Sequence, residues 1–224
     1  MNRYEQLRDV VAMTADNTTK AKPFRILEVG SYRGERAKLM ITEATKRGRP
    51  EIHYFGFDLF EDMTPGLGVK EVVKSRPAPS IADVRKRLSK TGAKIHLTKG
   101  NTREVLPKAV AEMLDRGLGI DLIFIDGGHS LDTVESDWGA IKPLVEKGAV
   151  VLFDDYFENR TDIGCKPLVD RLRADPAWDV GLLDPLDKPE NAGFHTRMVG
   201  LRLAGWKPTG PTDAHRHTDG QAQG

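Results

Sequence analysis

Short apolar runs recur along this chain, and most give way to a stretch of helical spacing before the next run begins. Strand-like runs fall at 24–29, 53–57, 94–98, 121–126 and 149–153, and helical patterns at 2–14, 33–47, 80–91, 102–116 and 130–146. About five alternations of strand and helix demand a parallel sheet with helices on both faces, because parallel strands need crossover connections. The end of the chain breaks this rhythm. Runs at 178–183 and 198–203 have only a loop between them, which predicts an antiparallel hairpin at one sheet edge. The expected fold is therefore α/β, a single doubly wound, mostly parallel seven-stranded sheet. It forms one domain over residues 1–206, with a leading helix and turn over 1–20. Residues 207–224 are rich in Pro, Gly, His and Gln and read as a disordered tail.

Charge excludes some partners. Lys and Arg number 34 against 33 Asp and Glu, so no basic surplus marks a nucleic-acid footprint. The densest basic run, Arg85-Lys86-Arg87 followed by Lys90, reads as a solvated helix face. There is no long apolar stretch for a membrane span and no apolar core near Met1 for a secretory signal. A single cysteine, Cys165, rules out an internal disulfide. These features predict a cytoplasmic protein without membrane or nucleic-acid partners.

In open parallel sheets, ligands bind beyond the C-terminal ends of the strands. The residues delivered there are Glu28 and Gly30, Asp58 and Leu59, Gly100 and Asn101, Asp126, and the pair Asp154-Asp155. The first turn reads Glu28-Val29-Gly30-Ser31-Tyr32-Arg33-Gly34. Its G-x-x-x-G spacing lacks the middle glycine of a dinucleotide fingerprint, and Glu28 would repel a pyrophosphate. A ligand bearing an ammonium and a sulfonium, and no phosphate, would tolerate that carboxylate. A plain structural turn fits the two glycines as well. Asp58, 30 positions after Glu28, can accept hydrogen bonds from both hydroxyls of a ribose, or can cap a helix. Gly100 and Asn101 are placed to border an adenine.

Taken together, Ile26 to Gly34, Gly56-Phe57-Asp58, and Ile125-Asp126-Gly127-Gly128-His129-Ser130 resemble the class I S-adenosylmethionine (SAM)-dependent methyltransferases. Within them the chain looks most like the macrocin-type sugar O-methyltransferases and the cephalosporin-hydroxylase-like proteins, over about residues 24–203. The resemblance implies SAM as cofactor and a small-molecule acceptor, in an enzyme that can associate with copies of itself. It implies a cofactor cradle from Glu28, Gly30, Ser31, Tyr32, Arg33, Gly34, Asp58, Leu59, Gly100, Asn101, Asp126, Gly127, Gly128 and His129.

Asp126 is followed after 28 positions by Asp154 and then Asp155. On adjacent parallel strands these carboxylates would meet, and unneutralised they would repel one another. A hard divalent cation resolves this, and the same spacing resembles the Mg²⁺ sites of catechol and macrocin-type O-methyltransferases. The resemblance thus implies metal roles for Asp126, Asp154 and Asp155; helix capping or cofactor binding is the other reading. His129 stands where catechol-type enzymes carry a lysine base. The macrocin-type aspartate base would fall at Gly128. Histidine titrates near neutrality, so His129 is the candidate general base, or else packs against the cofactor. Tyr156 and Phe157 are candidate walls of the acceptor pocket, the loop at 60–80 a candidate lid, and Trp138 core or pocket wall. His195 is a weaker candidate for reaching the acceptor; His215 and His217 read as parts of a solvated tail. The expected chemistry is Mg²⁺-assisted methylation of a hydroxyl. A metal-independent methyltransferase and a non-catalytic SAM-binding module are the alternatives.

Overall fold

The computed structural model describes residues 3–71, 77–184 and 196–204. His195, His215, His217 and the predicted tail lie outside them. Seven strands form one sheet: β1 (Phe24–Val29), β2 (Ile52–Asp58), β3 (Lys94–Lys99), β4 (Leu122–Ile125), β5 (Val150–Phe157), β6 (Trp178–Leu182) and β7 (Thr196–Leu203). Their order is β3-β2-β1-β4-β5-β7-β6. The first five run parallel, and β7 lies antiparallel between β5 and β6. From β1 the chain winds outward to β2 and β3, then returns to β4 on the other side. The crevice at the C-terminal ends of β1 and β4 is therefore the switch point where ligands enter such sheets.

Side-chain alternation fills both faces. Leu27, Val29, Ile123, Ile125, Val151 and Phe153 pack under α5 (Thr102–Asp115), α6 (Leu131–Val145) and α7 (Lys166–Ala174). Phe24, Ile26, Leu122, Phe124, Val150 and Leu152 pack against α1 (Arg3–Asn17), α2 (Glu35–Lys46) and α4 (Ile81–Leu88). A strand that is apolar on both faces suits only a covered sheet, so the continuous run in β4 follows from its central place. Trp138 belongs to this core. It meets Trp178 edge-on with ring centroids 5.3 Å apart.

The helices begin where their caps predict. Ser80 caps α4 by accepting from the Asp83 N–H at 3.1 Å, and Ser130 caps α6 through Thr133 at 3.4 Å. Three local features differ from the sequence expectations. The segment read as a loop holds a 3-10 turn, Phe60–Asp62, and the short helix α3 (Pro65–Lys70). Helix α7 was not anticipated; a proline in its first turn and only nine residues leave little periodic signal. Strand β5 does not stop at Phe153 but runs to Phe157 through an irregularity between Phe153 and Tyr156. No described helix is long and apolar enough to cross a membrane.

Candidate active site at the β1/β4 crevice

The exit of β1 is a left-handed turn. Gly30 has φ 90°, Tyr32 42° and Gly34 72°. A side chain on Gly30 would run into the backbone of Asp126 and Gly127, so the β1 and β4 exits touch main chain to main chain. That contact brings Glu28, Ser31, Tyr32 and Asp126 to one place. Glu28 is fully buried and faces the α1/α2 side. Tyr54, on the neighbouring strand, donates its hydroxyl hydrogen bond to Glu28 Oε2 and lies 2.9 Å from Ser31 Oγ. Gly56, opposite Glu28 in register, leaves the space: a Cβ there would sit 2.8 Å from the Tyr54 hydroxyl. Burial pushes the Glu28 carboxyl up to about 8, with Tyr54 and Arg36 opposing. Its Oε1 has no hydrogen-bond partner, and neither does the buried Tyr32 hydroxyl.

Asp58 ends β2 as expected. Its Oδ2 accepts from the Tyr32 N–H at 2.8 Å and its Oδ1 from the Phe60 N–H at 2.7 Å. The carboxylate thus binds the first turn to the second, and Leu59 leads into the 3-10 turn beyond it. Phe60 is also left-handed, with φ 49°. Non-glycine residues with positive φ are uncommon and collect at functional sites. Here the three found among the described residues, Tyr32, Phe60 and Asp155, follow or interrupt strands at this rim. Gly100 donates its N–H to the Asp58 carbonyl at 3.0 Å, and Asn101 caps α5 by accepting from the Arg103 N–H at 3.1 Å.

The acidic pair is split by the β5 irregularity. Asp155 has φ 58°, a bulge that turns its carboxylate back toward the rim. His129 Nε2 lies 2.7 Å from Asp155 Oδ2. Asp126, His129 and Asp155 can place one ligand atom each within 4.8 Å of one another. Of the expected trio, Asp126 and Asp155 are in this set together with His129, and Asp154 is not. Its buried side chain accepts from the Asp155 N–H at 2.8 Å and so shapes the bulge. Phe157 meets the His129 ring edge-on at 6.1 Å. Tyr156 turns the other way and donates its hydroxyl to Asp170 Oδ1 at 2.7 Å, so it is not a wall of this site.

Two further residues belong here. Arg36, in the first turn of α2, puts Nε 3.0 Å from Asp126 Oδ2. The pair lacks the alignment of a hydrogen bond, so the buried Nε–H is an unmet donor. Asp126, Asp154 and Glu28 all raise the Arg36 pKa, and Tyr4 of α1 covers the guanidinium at 6.0 Å from its ring centroid. The carboxylates therefore have a neutralising partner within the chain. The signal was present in the sequence: Arg36 heads the row Arg36, Met40, Ala44, whose other members are buried.

Glu71 is the second. Its Oε2 accepts from the Ser130 N–H at 3.2 Å and the Ser130 hydroxyl at 2.8 Å, and its Oε1 from Thr133 at 3.1 Å. Its carbonyl accepts from the His129 N–H at 3.1 Å. Gly128 is closely faced by this carboxylate; a Cβ there would lie 2.9 Å from Glu71 Cδ. The candidate lid is thus pinned over the Gly127-Gly128-His129 turn, with a carboxylate at the positive end of α6. Removing the side chain in Glu71→Ala should cost about 1–3 kcal/mol. It should also speed amide hydrogen exchange across residues 60–71 far more than in β1. Unchanged exchange there would refute the clamp.

A cavity of about 710 Å³ between α2 and α4 is lined by residues such as Lys38, Thr42, Lys46 and Arg87; none of the acidic rim residues lines it.

The sequence pattern of a family described as a methyltransferase domain matches residues 27–156. That span contains the end of β1, the strands β2 to β4, the left-handed turn and the acidic bulge. An uncharacterised protein of Acanthamoeba polyphaga mimivirus is 31% identical over 100 residues, covering 42% of this chain and 45% of the relative. The match thus spans less than half of that protein. Among solved structures, the O-methyltransferase TomG from Streptomyces achromogenes, in complex with SAM, is 16% identical. The match has a TM-score of 0.57 and covers 90% of this chain and 79% of that one. The O-methyltransferase NovP is 19% identical, with a TM-score of 0.60 and coverage of 88% and 78%. An O-methyltransferase from Bacillus cereus in complex with SAH is 13% identical, with a TM-score of 0.55 and coverage of 90% and 80%. At these identities the likeness is one of fold.

Proposed function

This chain belongs to the methyltransferase-domain family, and from that membership we propose that it transfers the methyl group of SAM to a hydroxyl oxygen of a small molecule. One observation carries the cofactor reading. Three polar atoms around the β1 exit lack hydrogen-bond partners: Glu28 Oε1, Tyr32 Oη and Arg36 Nε. They comprise one acid and two donors. The amino-acid end of SAM is their complement, with a carboxylate for the donors and an ammonium for the acid. Buried polar groups left unpaired are costly, so such a set calls for a ligand. Asp58 and the Gly100-Asn101 turn are on the side where the ribose and adenine would lie. Arg33, Leu59 and Gly127 would complete the cradle.

In the transfer, the methyl carbon forms a bond to the acceptor oxygen as its bond to sulfur breaks, and the electron pair stays on sulfur. The reacting atoms must be held in line at about 3–3.5 Å. The hydroxyl proton passes to His129, whose ring Asp155 orients.

In the metal-assisted form of this reading, Asp126, His129 and Asp155 would hold a divalent cation, their donors lying within 4.8 Å of one another, and His129 would then serve as a ligand in place of the base. Two carboxylates would suit Mg²⁺, and the imidazole extends the choice to Mn²⁺ and its neighbours. A cation held there supplies Lewis acidity that lowers the pKa of the acceptor hydroxyl. The metal-independent alternative is favoured by a specific observation as well: Arg36 already neutralises Asp126, and His129 already pairs with Asp155.

Calorimetry with SAH and turnover of SAM on a panel of hydroxylated acceptors, diols included, test these readings. SAH should bind, and Arg36→Ala should weaken it about 10- to 100-fold, the loss of a charge-assisted hydrogen bond. Activity that survives EDTA would select the metal-independent reading. Tight NADH binding with no response to SAH would sink both.

A further inference from the structure

We propose that Arg36 couples the two halves of the site, so that the carboxylate of the bound cofactor draws its guanidinium away from Asp126 and thereby opens Asp126 to a divalent cation. The inference rests on the SAM reading above and adds a binding order to it.

The argument begins with charge. Arg36 Nε stands 3.0 Å from Asp126 Oδ2, and the two side chains are only 22% and 10% exposed. Asp126 is also one of the three residues whose donors converge with His129 and Asp155. A guanidinium and a metal ion cannot share that carboxylate without repulsion, and low exposure leaves little solvent to screen it. While it is paired with Asp126, the arginine occupies one corner of the metal site.

The side chain can serve another partner. Its Nε–H is unmet even at 3.0 Å from Asp126, so the ion pair holds it by charge rather than by directed bonding. Arg36 lies in the first turn of α2, four residues after Tyr32, whose buried hydroxyl is a second unmet donor. A ligand carboxylate between these two donors would give Arg36 the aligned, charge-assisted hydrogen bonds it lacks. Tyr4 of α1 lies over the guanidinium, 6.0 Å from its carbon to the ring centroid. Coupling is reciprocal: if cofactor improves metal affinity, metal improves cofactor affinity by the same factor.

Calorimetric titration of the full chain with Mn²⁺, with and without saturating SAH, reads the coupling directly. SAH retains the carboxylate and should tighten Mn²⁺ binding about 10-fold or more, within the usual range of coupled sites. Decarboxylated SAM, which lacks that group, should bind and leave Mn²⁺ affinity unchanged. Arg36→Met, which keeps the apolar stem, should bind Mn²⁺ without SAH as tightly as wild type does with it. Equal tightening by decarboxylated SAM, or no tightening by SAH, overturns the proposal. Mn²⁺ failing to bind in either state overturns it too, while the heat of SAH binding alone reports separately on the cofactor reading.

Discussion

Gly30→Ala should be the most damaging single methyl that can be added to this rim. Two costs combine. The residue sits at φ 90°, where a Cβ is strained by about 1–2 kcal/mol. The new methyl would also lie 2.5 Å from the Asp126 carbonyl carbon and 2.8 Å from Gly127 Cα, both backbone atoms. Overpacking of this kind costs a further ~1–3 kcal/mol. Because β1 and β4 are hydrogen-bonded neighbours, the clash cannot be relieved by rotating a side chain. The expected total, about 2–5 kcal/mol, is a large part of a domain's stability. Gly34→Ala should be milder. It too has positive φ, at 72°, but its nearest neighbours are Val84 and Leu88 side-chain atoms at 3.2 and 3.3 Å, which can yield. Gly66→Ala, inside α3 with nothing within 4 Å, should be neutral or slightly stabilising. Urea unfolding of the three variants checks the order. A Gly30→Ala protein as stable as Gly34→Ala would refute the main-chain contact between the two exits.

That contact also explains which parts of the site could be read from the sequence. Residues 24–34 carry an apolar strand and two glycines at fixed spacing, a local code for a turn that only φ > 0 permits. The same holds for Ser80 and Ser130, where a cap residue precedes a periodic stretch. Asp58 and Asp126 were placed because strand ends in a parallel sheet are brought to one edge by topology alone. The neighbours Ile125 and Phe153 stand in register, so Asp126 and the Asp154-Asp155 pair leave the sheet at the same edge.

What stayed hidden depends on geometry with no local signature. The Asp154-Asp155 pair looks symmetric in sequence, yet one residue at φ 58° decides which carboxylate meets His129. A bulge is a single extra residue against its partner strand, and that partner, β7, lies about 40 positions further on. Arg36 escaped for a different reason. Within a helix an arginine reads as solvated, and only its place on the row of Met40 and Ala44 argues otherwise. The sequence alone shows three acidic groups with no adjacent counter-charge, a pattern that a metal ion, helix capping or cofactor binding would each accommodate. Glu71 had no signal at all, since its partners Ser130 and Thr133 are some 60 positions away. Helix α7 leaves little signal because of its length, since nine residues hold only about two and a half turns of pattern.

Glu28 supplies the second large effect, and it is a pH effect. Its carboxyl is held near 8 in the folded protein against 4.5 as a free side chain, because full burial disfavours the charged form. The folded state therefore binds one more proton than the unfolded chain between those two values. Stability from this group is fully present below about pH 4.5 and is lost as pH rises through 8. Glu28→Gln keeps an acceptor for the Tyr54 hydroxyl but cannot ionise. The variant should gain stability relative to wild type as pH rises from 5 to 8, by a few kcal/mol, with about 5 kcal/mol as the ceiling that the shift sets. Taking the difference between the two proteins cancels Asp137, whose carboxyl is raised to about 7 by burial in both. The same substitution should weaken SAM binding, since the buried acid is the proposed partner of the ligand ammonium. Arrival of that cation should drive the proton off Glu28. Wild type should then release a proton on binding SAM at pH 7, read by calorimetry in buffers of different ionisation heat, and Glu28→Gln should release none. A stability difference that is flat with pH would show that the buried acid is already ionised, through a partner other than Tyr54 and Arg36.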